Sequence, residues 1–363
     1  MKRKEKKYKI EIHGAINTPN FGDVLFARMF YEACKSIPNA EVDFLQIPRF
    51  GVGKYVREET GYDRKRGKLE YLKANALILM SGGYLGLDNT SIYYVLHLYF
   101  RFIFPALLFQ MLRKPVYIIG VGGGPIDSKW LRRKIKRLVN HAQKVIVRDE
   151  ETRDYFIAYG VKNSIELSTD TALSYDKESI QKIEDEDFQN LFCNKKVLLL
   201  HTERPSNQEI AKKIIPSINI FLEKHKEYGV VFGYDYPINE SLEETVCFKE
   251  LCCETKYAYK YKNTDQMIAL LNASDCIITT KLHVGIMGAL CGKSVISFPT
   301  HREKTQRFYK QIGYPERCIH FTKIDDDIVL QQLEQYHNKP ISIQESLITK
   351  AKENLMFVNE LRK

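Results

Sequence analysis

The stretch 277–299, IITTKLHVGIMGALCGKSVISFP, most constrains what this chain can fold into, because it reads as strand, polar turn, short helix and strand in one phrase. The runs 276–278 and 294–298 are short, apolar and rich in β-branched residues, and are bounded by threonine, glycine and lysine. That is the composition of strands buried on both faces, as in a parallel sheet. A small-residue helix between them supplies the crossover that parallel strands require. Lys281 and His283 then fall where a strand ends and a helix begins. Unpaired N–H groups and the helix dipole favour an anion at such a place. Lysine adds a full charge, and histidine adds a proton that can move near neutral pH.

The same alternation runs through the chain. In the first half, strands are expected at 8–12, 41–45, 76–80, 116–120 and 144–147, with helices at 24–34 and 129–142. The segment 179–190 is acidic and has no strong apolar face, so the domain boundary is expected there. A second set of strands follows at 195–200, 230–232, 276–278, 294–298 and 318–321, and a terminal helix at 343–361. The expected class is α/β, with two doubly wound Rossmann-like domains facing a cleft: residues 1–178, residues 191–340 and a C-terminal helix over 341–363. A length of 363 residues suits two such domains.

Charge separates the halves. Residues 1–175 hold 29 Lys+Arg against 18 Asp+Glu, a surplus of 11, while the remainder holds 26 against 27. The basic clusters at 2–9, 64–68 and 132–137 suit an anionic membrane surface, a nucleic acid or a phosphorylated ligand, and equally a solvated surface. No RRM, KH or helix-turn-helix pattern accompanies them, so nucleic acid is not expected as a partner. The eight cysteines are scattered, with no CxxC pair and no zinc spacing, and read as reduced thiols; no metal and no cofactor is expected. The basic N-terminus runs straight into a strand pattern without an apolar signal region, which points to the cytoplasm. The run 92–112, IYYVLHLYFRFIFPALLFQML, is long enough to span a bilayer. Arg101 near its centre and Pro105 within it favour a helix packed on the first sheet, ahead of a monotopic membrane contact and, last, a true span. His97, Arg101 and Pro105, four residues apart, are expected on one helical face.

Four turns after first-half strands carry polar or glycine residues. The loop 17–23 ends in Asn20, Phe21, Gly22 and Asp23; Asn20 or Asp23 can cap the following helix, or Asp23 can contact a sugar hydroxyl. Gly82 and Gly83, and then Gly122, Gly123 and Gly124, follow strands where missing side chains let a ligand or another backbone approach. Neither is a Rossmann or Walker fingerprint. Arg148, in the fourth turn, follows the strand expected at 144–147 and leads into an acidic helical turn, a cap with its ion pair or a charge for a ligand. In the second half, His201 and Arg204 (LLLHTERP), Asp235 (FGYDYP) and Lys304 (FPTHREK) join Lys281 and His283. For His201 a structural role is the stronger reading; for His283, beside a cation at one strand exit, the functional one is.

In this order the motifs resemble those of the polysaccharide pyruvyl transferases, over most of the chain. Asn20 to Asp23 is similar to the family's N-x-G-D, Ser81 to Gly83 and Gly120 to Pro125 to its glycine turns, and Arg148 and Asp149 with Thr152 to its R-D-x-x-S/T. Asp170 with Ala172 is similar to its D-x-A, Thr279 to His283 to its S-x-R-L-H, and Lys304 with Gly313 to its downstream lysine and glycine. Lys281 stands where the family carries arginine, which keeps the charge and loses the planar fork. The resemblance implies a glycosyltransferase-B-like pair of domains and an enzyme that needs no cofactor. It implies transfer of an enolpyruvyl unit from phosphoenolpyruvate to a sugar of a surface polysaccharide or its lipid-linked precursor, with a pyruvate ketal formed and phosphate released. The roles it implies are donor binding for Lys281 and Lys304, proton transfer or phosphate stabilisation for His283 and the acceptor side for Asp23. Asn20, Gly82, Gly83, Gly123, Gly124, Arg148 and Arg204 are further substrate contacts on this reading. A lipid-linked acceptor would place the basic first half against the inner face of the plasma membrane. The rival readings are a nucleotide-sugar glycosyltransferase on the same architecture, a non-catalytic scaffold and a nucleic-acid-binding protein.

Overall fold

A computed structural model describes residues 7–47, 50–65, 67, 69–86, 91–202, 208–236, 241–301 and 303–361. The chain divides into two compact units: residues 1–174 with 346–363, and residues 175–345.

In the first unit, β1 (Tyr8–His13), β2 (Ala40–Phe44), β3 (Ala76–Leu79), β4 (Gly82–Leu85), β5 (Val116–Gly123), β6 (Lys144–Val147) and β7 (Glu166–Leu167) make one sheet. Its order is β2-β1-β3-β5-β6-β7, with β4 also on β5, and every pairing is parallel. The helices are α1 (Phe21–Lys35), α2 (Lys54–Thr60), α3 (Ile92–Leu98), α4 (Phe104–Met111), α5 (Lys129–Asn140) and α6 (Glu150–Ala158). All four residues of β3 are buried, as a strand covered on both faces must be. Helix α5 buries Leu131, Ile135, Leu138 and Val139 at helical spacing, and the Ser128 hydroxyl caps it by accepting the Leu131 N–H. Its remaining positions are mostly Lys and Arg.

In the second unit, β8 (Lys196–His201), β9 (Tyr228–Gly233), β10 (Lys256–Tyr259), β11 (Cys276–Thr279) and β12 (Ser294–Ser297) form a parallel sheet in the order β10-β9-β8-β11-β12. The helices are α7 (Glu186–Leu191), α8 (Gln208–Lys224), α9 (Val246–Lys249), α10 (Thr264–Ala273), α11 (Leu282–Leu290), α12 (Lys304–Gln311) and α13 (Asp326–Tyr336). The expected strand over 318–321 is reduced to a single bridge, Cys318 to Ser297. The Ile319 and Phe321 N–H groups do reach Ser297 and Pro299 carbonyls along β12. Pro299 has no N–H to return, so the ladder stops and a 3₁₀ turn follows at Phe321–Lys323.

Two boundaries differ from expectation. The division falls at Ser174, and the acidic segment 179–190 packs into the second unit: Ile183 and Phe188 are buried, the Glu184 N–H reaches Gln266 and Asp185 caps α7. The terminal helix α14 (Glu345–Met356) returns to the first unit instead of standing apart. The Ser168 and Thr169 hydroxyls donate to the Lys350 and Leu347 carbonyls, and the Asn354 amide donates to the Thr169 carbonyl and the Thr171 hydroxyl. Phe357 beyond it is 1% exposed, between Phe30 and Tyr117, a burial that contributes about 2 kcal/mol.

The apolar run is one 20-residue helical stretch, Ile92–Met111, in which a wide π turn at Tyr99–Ile103 joins α3 to α4. Pro105 explains part of the irregularity, since it offers no N–H to the Arg101 carbonyl one turn back. That carbonyl is taken instead by His13 Nε2, at 2.6 Å. Val95, Phe102, Ile103, Ala106 and Phe109 are buried against the sheet, while the opposite side is open. His97 and Pro105 line one groove, as their spacing predicts, and Arg101 turns its guanidinium to the Asn17 side chain, over the rings of Phe102 and Phe50.

Candidate functional site

At the carboxyl edge of the first sheet, Asn20 precedes α1 in extended conformation and does not cap it through its side chain. Its amide instead donates to Asp23 Oδ2 at 3.3 Å, and the Thr18 hydroxyl donates to the same oxygen at 2.7 Å. Asp23 is therefore held as an acceptor in the first turn of α1, half-buried. The nearby Arg101 guanidinium is driven below its ordinary range by burial, with Asp23 opposing that shift. Sequence reasoning used Arg101 only as an argument against a membrane span; the contact with Asn17, which brings it to this loop, crosses 84 positions and leaves no local signal.

The glycine turns of β4 and β5 close on each other and on Arg148. A Cβ on Gly86 would lie 2.4 Å from the Gly124 nitrogen, and one on Gly122 would lie 2.5 Å from Arg148 Nε. Gly120 adopts φ 65° under the Ser81 and Thr171 hydroxyls, a conformation and a space only glycine accepts. The Gly123 N–H donates to the Thr152 hydroxyl at 2.8 Å, while Gly83 stays exposed beside Arg148. Arg148 is 6% exposed, with Nη1 3.1 Å from Asp170 Oδ2 and Nε 3.6 Å from Asp149. Of its two roles, this burial favours bracing the turns over meeting a ligand's charge, because carboxylates already compensate the buried cation. Asp149 also caps α6 through the Thr152 N–H, at 2.7 Å.

In the second unit the last residues of four strands form one row, with Gly233, His201, Thr279 and Ser297 in register. Fully buried His201 places Nδ1 3.2 Å from the Thr279 hydroxyl and Nε2 3.7 Å from Asp235 Oδ1. The same hydroxyl accepts the Lys281 N–H at 3.0 Å, which fixes the exit of β11. Lys281 then stands at the N-cap of α11 in extended conformation, and His283 lies in its first turn; both side chains are half-buried. The glycines of α11 are packing residues: a Cβ on Gly285 would lie 2.7 Å from the Tyr309 hydroxyl and one on Gly288 2.7 Å from Ile277. They seat α11 against β11 and against α12, whose first residue is Lys304. Lys281 and Lys304 thus begin the helices that follow two neighbouring parallel strands. Arg204 lies outside the described residues. Among the described residues no cluster of three His, Cys, Asp or Glu could hold a metal ion.

One edge of this unit therefore gathers two cations and an imidazole at helix starts, over a buried His201–Asp235 pair. The family model for polysaccharide pyruvyl transferase matches residues 20–302. A search of curated proteins finds no match. Among solved structures, the chain is similar to the UDP-GlcNAc 2-epimerase of Methanocaldococcus jannaschii in complex with UDP-GlcNAc and UDP: 13% identity, TM-score 0.62, 98% of this chain and 99% of that one. It is similar to the Neisseria meningitidis enzyme bound to UDP-GlcNAc at 11% identity and TM-score 0.62, over 97% and 99% of the two chains. The Rickettsia bellii enzyme gives 13%, TM-score 0.58, 98% and 94%. At this identity the likeness shows the fold alone: α/β with Rossmann-like domains, as the strand and helix pattern predicts, of the glycosyltransferase-B type that the family resemblance implies.

Proposed function

The chain belongs to the polysaccharide pyruvyl transferase family, and from that premise we propose that it moves an enolpyruvyl unit from phosphoenolpyruvate to two hydroxyls of one sugar. The acceptor is a surface polysaccharide or its lipid-linked precursor. The observation that carries this reading is the pairing of Lys281 with His283 at the start of α11, beside the helix that Lys304 opens. Lysine ammonium groups and the N–H groups of a first helical turn suit a donor with a phosphate and a carboxylate.

The chemistry needs an acid, a base and fixed positive charge. His283 delivers a proton to the methylene carbon of the donor, and the carbon that bears phosphate becomes an oxocarbenium-like electrophile. One sugar hydroxyl adds to that carbon and gives up its proton to Asp23, which Asn20 and Thr18 hold as an acceptor. The second hydroxyl adds as the carbon–oxygen bond to phosphate breaks, and its proton leaves with inorganic phosphate. The product is a pyruvate ketal. Lys281 and Lys304 hold the donor anion; in the first unit Gly83 stays exposed and Arg148 keeps the turns of Gly82, Gly123 and Gly124 in place.

Incubation with phosphoenolpyruvate and a panel of glycosyl lipids tests this: phosphate release should depend on acceptor, and the acceptor should gain the mass of a ketal. A nucleotide-sugar donor is the rival, supported by neighbours of the same fold that hold UDP-GlcNAc. Thermal stabilisation by UDP and not by phosphoenolpyruvate would favour it.

A further inference from the structure

The first unit carries an open face that the transfer chemistry does not use. Along the Ile92–Met111 run, Tyr93, Leu96, Phe100, Phe104 and Met111 recur at intervals of three, four, four and seven, and all stand between 40 and 68% exposed. They make one continuous apolar and aromatic stripe, opposite the buried Val95, Phe102, Ala106 and Phe109. Monomeric soluble domains rarely leave such a stripe to water.

What lies beside it identifies the partner. Helix α5 runs along the stripe in the same direction: Trp130 packs on Tyr99 with ring centroids 4.6 Å apart, and the Gln110 amide donates to the Leu138 carbonyl at 2.8 Å. Trp130, Arg133, Lys134, Arg137 and His141 share one side of α5 by helical spacing. The Lys134 ammonium rests 5.6 Å from the Trp130 ring centroid. At the far end, Arg113, Arg137 and His141 join Met111 around a pocket of about 1070 Å³. Residues 91–147 hold ten Lys or Arg and a single acid, Asp127. Arg101 is the one Lys, Arg, Asp or Glu within the run, and its guanidinium is turned away to Asn17.

We infer that this face is an interfacial docking surface for an anionic phospholipid bilayer, on which Tyr93, Phe100, Phe104 and Trp130 enter the headgroup region while Lys134, Arg133 and Arg137 meet lipid phosphates. Aromatic side chains beside basic ones match the headgroup boundary, where an amphipathic helix lies about 5–10 Å deep. The buried side of α3 and α4 belongs to the core of the first unit, so the run lies on the bilayer and does not cross it. A second copy of the chain fits less well, because a two-fold contact on this face would set the α5 row against itself, like charge against like. The inference is independent of the donor used in the transfer reaction.

The only tryptophan of the chain is Trp130, which makes the test direct. The full chain is mixed with vesicles of phosphatidylcholine, alone or with phosphatidylglycerol, at low and high salt. With phosphatidylglycerol at low salt, the protein should float with the vesicles, and Trp130 emission should shift to the blue and resist aqueous quencher; salt should reverse both. Arg133→Glu with Arg137→Glu should lower partition more than about ten-fold, and Phe100→Ser with Phe104→Ser comparably, with unfolding curves unchanged. Equal binding to phosphatidylcholine alone, or no binding at low salt, overturns the inference. So does a dimer in light scattering that Phe100→Ser with Phe104→Ser dissolves.

Discussion

Both units end their parallel strands in polar turns, but they spend their charge in opposite directions. In the first, Arg148 turns inward and is closed behind glycines by Asp170 and Asp149, so that the edge itself is backbone. In the second, the buried pair is His201 with Asp235, and the cations Lys281 and Lys304 stand half-buried at helix starts. A charge at a strand exit is therefore no guide to function until its partner is known. An arginine compensated by two buried carboxylates braces a turn, whereas the lysine at the N-cap of α11 meets an anion only on the function proposed above.

The comparison breaks most sharply at His283. Replacing it with Gln should lower phosphate release from phosphoenolpyruvate by about 10²–10⁴-fold while thermal unfolding stays put; near-normal turnover would remove it from the mechanism. On the other unit, Arg148→Met should act through stability. It leaves Asp170 buried without its cation, at a cost of about 3–5 kcal/mol, read as an earlier urea midpoint. Unchanged stability with lost donor affinity would instead make Arg148 a ligand residue.

A third prediction concerns pH. Burial lowers the His13 pKa to about 4, from 6.5, and outweighs the hydrogen bond to the Arg101 carbonyl that favours the charged form. The unfolded chain therefore binds the extra proton between these values, so the stability His13 contributes is full above pH 6.5 and lost as pH falls towards 4. The loss should approach about 3 kcal/mol, and His13→Asn should flatten that part of the stability profile. Smallest of the four is Lys281→Arg, which restores the fork of the family motif: the KM for phosphoenolpyruvate should hold or fall within about ten-fold, and a large rise would show a site rebuilt around lysine.

Legibility followed locality. Strands β3, β5, β6, β8, β11 and β12 could be read because each is a buried apolar run between breakers. Strand β4 begins with two glycines, β7 is two residues long and β10 is a half-polar edge strand, so none carries the apolar signal of a buried strand. Lys281 and His283 were visible for the same reason as β11, since a strand exit and a helix start lie within five residues of one another. The His201–Asp235 pair joins two strand ends, and nothing in either neighbourhood announces the other.

By itself, then, the amino-acid order determined two parallel α/β sheets, the βαβ phrase around Lys281 and His283, and the concentration of positive charge in the first half. Hydrophobic period and turn chemistry are short-range and survive in one dimension. Only the tertiary structure decided that Arg148 faces carboxylates, that Arg101 reaches Asn17, that α14 returns to the first unit and that the aromatic stripe lies beside the basic row of α5. Each of these depends on contacts between residues 22 to 185 positions apart, and burial and charge pairing take their values from such neighbours.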